Sequence, residues 1–307
     1  MVRELLRRGD RVGVVAPGFA PQPDALDAGL AALRKRGFQV EEGTHLREVE
    51  GYLAGDDRAR AADLDAAIAS ESLNGIWFAR GGYGTARLLD RIHLRRLARR
   101  PKLLLGYSDV SALAAALLAR APALCLHAPM VTELSRREAF HAPSLAAMLA
   151  GRTVTRKLGA RDVLRKGRAR GRLMGGNLCV LTHLLGTPFM PSLRGAVLFL
   201  EDAGEEAYRV DRMLQHLRMS GALRGVAAVL VGQLLVPETR RAYPGDRDVA
   251  DVLREHLLPL DVPVVTGLPV GHGAGKWTIP IGGRATVDTS RRAIAFDPVP
   301  QPVPARR

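Results

Sequence analysis

The sequence predicts an α/β protein, and three observations carry the prediction. Apolar runs of strand length alternate with helix-spaced apolar patterns through the first half of the chain. Glycine-rich or polar corners close several of those runs, as at Arg80-Gly81-Gly82-Tyr83-Gly84 and Gly106-Tyr107-Ser108-Asp109. The second half is also mixed, with more turn and strand toward its end. A chain of 307 residues is long enough for one large or two ordinary domains, each with a sizeable core.

In order, Arg11 to Val15 reads as a buried strand that turns at Pro17-Gly18. A helix follows from Pro23 to Arg36, with Leu26, Leu30 and Leu33 on one face and Gly37 as its stop. Phe38 to Val40 is a short strand, Asp57 to Ser70 a helix and Gly75 to Ala79 a third strand. The pattern predicts a helix over 85–97, a strand over Leu103–Leu105, an alanine- and leucine-rich helix after Ser111 and a strand at Ala123–His127. Strands alternating with helices in this way argue for a parallel sheet covered on both faces, spanning residues 1–150. Residues 151–172 are basic and irregular and read as a linker, and 173–298 as a second domain. That domain holds a helix from Asn177 to Leu185, strands at 195–200, 226–231 and 262–265, helices at 209–219 and 249–257, and alternating segments at 285–287 and 293–296. The Pro-rich residues 299–307 read as a disordered tail.

Composition bounds the function. Apolar content of 47% with 25% charged residues is that of a soluble globular chain. No apolar stretch approaches the roughly 20 residues that cross a bilayer, and the first ten residues lack a signal-peptide core, so the expectation is a cytoplasmic protein without membrane contact. The net charge of +14 is almost all arginine, spread along the chain, and aromatic content is 5%. A spread of arginine with few stacking surfaces gives no nucleic-acid site. The clusters Arg91–Arg100 and Arg161–Arg172 read as a solvated face and an exposed linker. Cys125 and Cys179 are far apart in apolar surroundings, which suits buried thiols. No metal-ligand motif is present, and no metal or cofactor is expected.

Three polar residues stand just beyond the carboxyl ends of apolar strand runs: Ser108 after Leu103-Leu104-Leu105, Glu201 after Ala196-Val197-Leu198-Phe199-Leu200, and His272 in Gly271-His272-Gly273 after the strand ending near Val265. Ligands of open α/β sheets bind beyond the carboxyl ends of strands, so these groups could form a serine–histidine–acid relay. Each also has a plainer reading. Ser108 can cap the helix after it, Glu201 can be a surface carboxylate beside Asp202, Glu205 and Glu206, and His272 can be an ordinary loop histidine whose flanking glycines give it freedom. The glycine corner at 80–84 can aim backbone N–H groups at an anion, as an oxyanion hole shared with the Asp109 N–H. A dinucleotide loop does not fit, because Arg87 stands where the third glycine belongs and the next strand ends in Ser108 rather than an acid. Arg80 can pair a surface carboxylate or bind a substrate carboxylate in bidentate fashion.

Taken together the motifs resemble the serine LD-carboxypeptidase family. They are Gly-Asp-Arg-Val-Gly-Val-Val-Ala-Pro at 9–17, Ala-Arg-Gly-Gly-Tyr-Gly at 79–84, Gly-Tyr-Ser-Asp at 106–109, Gly-Arg-Leu-Met-Gly-Gly-Asn-Leu at 171–178, Leu-Glu-Asp at 200–202 with Tyr-Arg-Val-Asp-Arg-Met-Leu at 208–214, Gly-His at 271–272 and Thr-Ile-Pro-Ile-Gly at 278–282. The resemblance implies a Rossmann/flavodoxin-like parallel-sheet domain, followed by a mixed, β-rich α/β domain that supplies the acid and histidine. It implies Ser108 as nucleophile, Glu201 as acid, His272 as base, and the Gly82 and Asp109 N–H groups as the oxyanion hole; Arg80, read from the residues themselves, is the candidate to hold the substrate's terminal carboxylate. It further implies release of the terminal D-alanine from peptidoglycan tetrapeptides during muropeptide recycling, by a homodimer. The related microcin C self-immunity peptidases share the fold and carry an added aromatic loop. The segment 151–172 has no aromatic residue, which favours the cell-wall peptide. A non-catalytic binder of small anions remains the reading from another class.

Overall fold

The chain builds two sheets and then returns to the first. The computed structural model describes residues 4–99, 101–120, 123–237 and 247–299. In the first half β1 (Arg11–Val15), α1 (Pro23–Lys35), β2 (Gln39–Glu42), α2 (Asp57–Ala69), β3 (Gly75–Phe78), α3 (Arg95–Arg99), β4 (Leu103–Gly106), α4 (Ser111–Leu118), β5 (Cys125–His127) and α5 (Ala142–Leu149) follow one another. In the second half come β6 (Val154–Lys157), β7 (Val163–Arg165), β8 (Arg168–Asn177), α6 (Leu178–His183), β9 (Val197–Ala203), α7 (Ala207–Met219), β10 (Ala228–Leu235), α8 (Val249–Leu257), β11 (Val264–Val265), β12 (Ile279–Ile281), β13 (Arg284–Asp288) and β14 (Ala293–Asp297).

The first sheet has the order β12-β5-β4-β3-β1-β2, and all of it is parallel except β12, which runs antiparallel to β5. The second sheet has the order β6-β14-β13-β8-β9-β10-β11-β7 and is mixed. Its long strand β8 pairs antiparallel with β13 through residues 168–172 and parallel with β9 through 173–177. β12 thus belongs to the second half in sequence and to the first sheet in space. It follows the segment that carries His272, and its register sets Ile279 opposite His127, which in turn lies opposite Gly106 of β4.

Local sequence explains most elements. α1 starts with Pro at its first turn and buries Leu26, Gly29, Leu30 and Leu33. β3 and β4 are buried on both faces, as an interior parallel strand must be. α4 is buried along its whole length. Its first turn meets the end of β8, where the Asn177 N–H donates to Ser111 Oγ at 3.0 Å. A Cβ at Gly175 would strike the Phe199 carbonyl at 1.9 Å and one at Gly176 the Ser111 hydroxyl at 2.4 Å, so the paired glycines let strand, helix and neighbouring strand close up.

Several sequence expectations differ from the structure. The helix expected over 85–97 is a 3-10 turn at Thr85–Leu88 and, separately, α3, because the intervening stretch forms turns. The stretch 151–172, expected as a linker, forms β6, β7 and the start of β8; short strands with mixed polarity, half covered by the sheet, leave little periodic signal. Strand β12 has a proline at its centre, which by sequence alone signals a turn and which is tolerated on a sheet edge. Residues 300–307 lie outside the described residues. Among those described, no helix is long and apolar enough to cross a membrane.

Gly29 gives a test of the packing. Alanine is normally the better helix former by about 1 kcal/mol, but a Cβ here would stand 2.0 Å from the Val131 carbonyl oxygen. Gly29→Ala is therefore expected to destabilise the fold by about 1–3 kcal/mol, seen as a lower urea midpoint; an unchanged or raised midpoint would contradict the close packing.

Candidate active site

Ser108 sits where β4 turns into the α4 segment, with φ +59°, a conformation that costs a non-glycine residue about 1–3 kcal/mol. The strain presents the side chain at the corner, as a nucleophile elbow does. The capping reading is not realised: neither the 3-10 turn at Ser108–Val110 nor α4 is capped by a side chain. Asp109 serves a different purpose. Its buried carboxylate accepts from the Thr85 N–H at 2.8 Å and the Thr85 hydroxyl at 2.6 Å, tying the elbow to the glycine corner. Burial pushes its pKa up, and the bonds from Thr85 and Gly84 oppose that.

The glycine corner lies directly over Ser108, since a Cβ on Gly81 would stand 3.0 Å from the Ser108 oxygen. Gly82 has φ +102°, and a Cβ there would run into Phe19 at 2.2 Å. The N–H groups of Gly82 and Asp109 have no hydrogen-bond partner among the described residues. Arg60, fully buried, holds the corner from below. It donates to the Gly55 carbonyl at 3.1 Å, the Gly84 carbonyl at 3.2 Å and the Pro17 carbonyl, and pairs with Asp57. In sequence Arg60 reads as an ordinary helix charge; nothing local marks a buried arginine.

Glu201 is not a surface carboxylate. β9 continues through Ala203, so Glu201 is on the strand rather than beyond it, and it is 0% exposed. Its Oε2 accepts a 2.7 Å hydrogen bond from His272 Nδ1. Burial alone would raise its pKa, but the facing His127 ring and the bond and charge of His272 more than offset this and hold it near about 2. Burial likewise pulls the His272 pKa down, yet the bond and charge of Glu201 outweigh it, and the ring ends above its usual value. Neighbouring Asp202 plays a structural part. It accepts from Asn177 Nδ2 and the Cys179 N–H, each at 2.9 Å, and pins the β8–α6 corner.

The glycines beside His272 serve packing. A Cβ on Gly271 would stand 3.0 Å from Glu201 Oε2, and one on Gly273 would stand 2.4 Å from the Gln233 amide, which itself accepts the Gly273 N–H at 2.7 Å. The His272 ring packs edge-on against Tyr107, the residue before Ser108, with centroids 4.8 Å apart. Glu201 and His272 are thus bonded to each other beside Tyr107, the residue before Ser108, and no hydrogen bond joins Ser108 to His272 among the described residues. Apo catalytic contacts are commonly loose and tighten with substrate.

A buried cluster fastens the His272 segment to the first half. Lys276 Nζ donates to Glu133 Oε1 at 2.5 Å and to the Tyr107 hydroxyl at 3.0 Å, and the Tyr107 hydroxyl donates to Glu133 Oε1 at 3.0 Å. Backbone bonds from Gly275 to Glu138 and from His141 to Lys276, each at 2.8 Å, reinforce it. Beside the glycine corner opens a cleft of about 450 Å³ whose lining includes Phe19, Tyr52, Arg47 and Arg80. Arg80 lies over the Phe19 ring at 5.5 Å, donates to the Ala20 carbonyl at 3.0 Å, and pairs with no carboxylate among the described residues. No group of three or more His, Cys, Asp or Glu among the described residues is placed to hold a metal ion. Cys125 is buried and Cys179 half-buried, both free thiols whose pKa burial pushes up, to about 12 and about 11.

A strained serine elbow, a buried carboxylate bonded to a histidine and a glycine corner over the serine define a hydrolase of the serine type. Residues 12–128 match the LD-carboxypeptidase N-terminal domain and residues 170–287 the LD-carboxypeptidase C-terminal domain. The chain belongs to the LD-carboxypeptidase family. It is 34% identical to a probable murein peptide carboxypeptidase of Bacillus subtilis, over 95% of this chain and 93% of the relative. It is 33% identical to the murein tetrapeptide carboxypeptidase of Pseudomonas aeruginosa, over 92% and 94%. The crystal structure of muramoyltetrapeptide carboxypeptidase from Oxalobacter formigenes superposes with a TM-score of 0.85 at 30% identity, covering 95% of this chain and all of that one. The wild-type microcin C7 self immunity protein MccF superposes at 0.84 with 22% identity, over 97% and 98%, which shows a shared fold.

The buried lysine provides a stability test. Lys276→Met leaves Glu133 and the Tyr107 hydroxyl without their cation, and the expected loss is about 3–5 kcal/mol in urea unfolding. A change under about 1 kcal/mol would mean the pair is not a desolvated tie.

Proposed function

We propose that this protein hydrolyses the LD-peptide bond that releases the terminal D-alanine of peptidoglycan tetrapeptides, through an acyl-enzyme on Ser108. The observation that carries the mechanism is the 2.7 Å bond between a fully buried Glu201 and His272, set beside a serine held at φ +59°. The substrate class rests on the murein and muramoyltetrapeptide carboxypeptidases to which the chain is similar.

In this reading Glu201 fixes the His272 tautomer with the proton on Nδ1, leaving Nε2 as base. His272 Nε2 takes the Ser108 proton as Oγ attacks the scissile carbonyl. The oxyanion is met by the N–H groups of Gly82 and Asp109, each worth roughly 10²–10³ in rate. His272 then gives its proton to the departing D-alanine amine, and a water, activated by the same ring, hydrolyses the ester. Arg80, with no carboxylate partner of its own among the described residues, is the group assigned to the substrate's terminal carboxylate. No step needs a metal or organic cofactor. We further take the protein to be cytoplasmic, in line with its composition, and a homodimer, as the family resemblance implies; sedimentation at micromolar concentration checks the dimer.

Two measurements test the chemistry. A fluorophosphonate probe is expected to label Ser108, with labelling lost in Ser108→Ala and reduced at least a hundredfold in His272→Ala, while purified tetrapeptide yields free D-alanine. Labelling that persists in His272→Ala, or no D-alanine release, would favour the anion-binding alternative. For pH dependence, neutral His272 is the active form, and its pKa lies above the unperturbed ~6.5. kcat/KM should therefore fall as pH drops through a midpoint above ~6.5. Glu201→Gln removes the charge that raises it and leaves burial dominant, so the midpoint should move below ~6.5 while kcat falls about 10³–10⁴-fold.

A further inference from the structure

Glu201 has a histidine on each side, and the mechanism uses one of them. Its Oε2 is bonded to His272, while its Oε1 faces His127 Nε2 at 3.7 Å. Both of these facing atoms are buried and neither has a hydrogen-bond partner among the described residues. A carboxylate oxygen with no donor, in a residue without solvent exposure, is a costly arrangement, more so when the group is charged. The donor nearest to hand is the His127 ring. It lies at the end of β5, 3% exposed, and is fixed between Tyr107 (centroids 5.2 Å apart) and the edge of Phe199 (5.3 Å). Its strand neighbours are Gly106, two residues before Ser108, and Ile279, which follows the His272 segment.

We propose that His127 is a positioning residue for the acid: its Nε2–H holds Glu201 Oε1, fixing the carboxylate plane so that Oε2 stays on His272 Nδ1. A movement of under about one ångström brings the pair within hydrogen-bond range. The second donor also shares the carboxylate's charge, so it limits how far Glu201 raises the pKa of His272. The ionisable groups that bear on His272 and Glu201 are His127 itself, Tyr107 and, through charge, Lys276 and Asp202. This role for His127 rests on the assignment of Glu201 and His272 as acid and base.

The test compares His127→Gln, whose amide nitrogen stands near the Nε2 position, with His127→Asn, whose amide is too short to reach Oε1, and His127→Phe, which fills the space without a donor. His127→Asn and His127→Phe are expected to lose about ten- to a hundredfold in kcat with KM within about twofold, the scale of one lost bond to a buried charge. In both, the acid limb of kcat/KM should move to higher pH. His127→Gln should recover kcat to within about fivefold and return the limb. Urea midpoints of the three variants separate a folding defect, because a merely structural ring predicts losses that follow stability and no difference in the limb between Gln and Asn. Equal kcat and equal limbs for Gln and Asn overturn the proposal. If instead Glu201→Gln and His272→Ala keep full hydrolysis of the tetrapeptide, the relay itself fails, which is a distinct result.

Discussion

The return of the chain to its first sheet is the constraint from which the site follows. Ile279 to Ile281 pair antiparallel with Cys125 to His127, on the edge of the parallel sheet that carries Ser108. The His272 segment enters that pairing from the second half, so its position over the serine corner is fixed at its exit. The pairing returns the segment that carries His272 to the sheet whose β4 leads into Ser108. The buried Lys276–Glu133–Tyr107 cluster lies four residues past His272 and acts on the same joint. Its electrostatic cost of burial is met by hydrogen bonds to every partner, and its geometry admits little freedom for the imidazole.

A second constraint is electrostatic. A fully buried carboxylate would ordinarily be neutral, because desolvation penalises its charge. Here the two flanking histidines, one of them hydrogen-bonded, outweigh that penalty and Glu201 stays ionised, which is what makes His272 more basic than a free imidazole. The two shifts, down for the Glu201 carboxylate and up for the His272 imidazole, are the two halves of one interaction. The glycines at 271 and 273 permit it, since side chains there would push the strand bearing Glu201 and the Gln233 amide away.

The serine end depends on strain held by its surroundings. Ser108 keeps φ +59° because Asp109 is bonded to Thr85 and because Tyr107, on its other side, is bonded to Glu133 and Lys276. Arg60 ties Gly84 to Pro17 and Gly55, so the glycine corner above the serine has a set shape. A site of this kind is rigid by virtue of its neighbours rather than of its own local preferences.

The sequence determined the alternation of strand and helix in the first half, the corner at Ser108, and the three residue types that a relay requires. Periodicity and glycine placement are local properties, and the stretches Leu103 to Leu118 and Pro23 to Gly37 contain all the physics needed. The strands of 151–177 and β12 escaped because their residues alternate weakly or contain proline, and only their sheet partners make them strands. Arg60, His127, Gln233 and Lys276 escaped for a related reason: nothing within a few residues of each says that it is buried, and burial is a sum over distant segments. Tertiary structure alone decided that Glu201 is dry, that it lies against two histidines, and that its bond to one of them crosses 71 positions of sequence. Long-range contact sets desolvation and hydrogen-bond distance, and those two quantities turn a carboxylate, an imidazole and a hydroxyl into a coupled site.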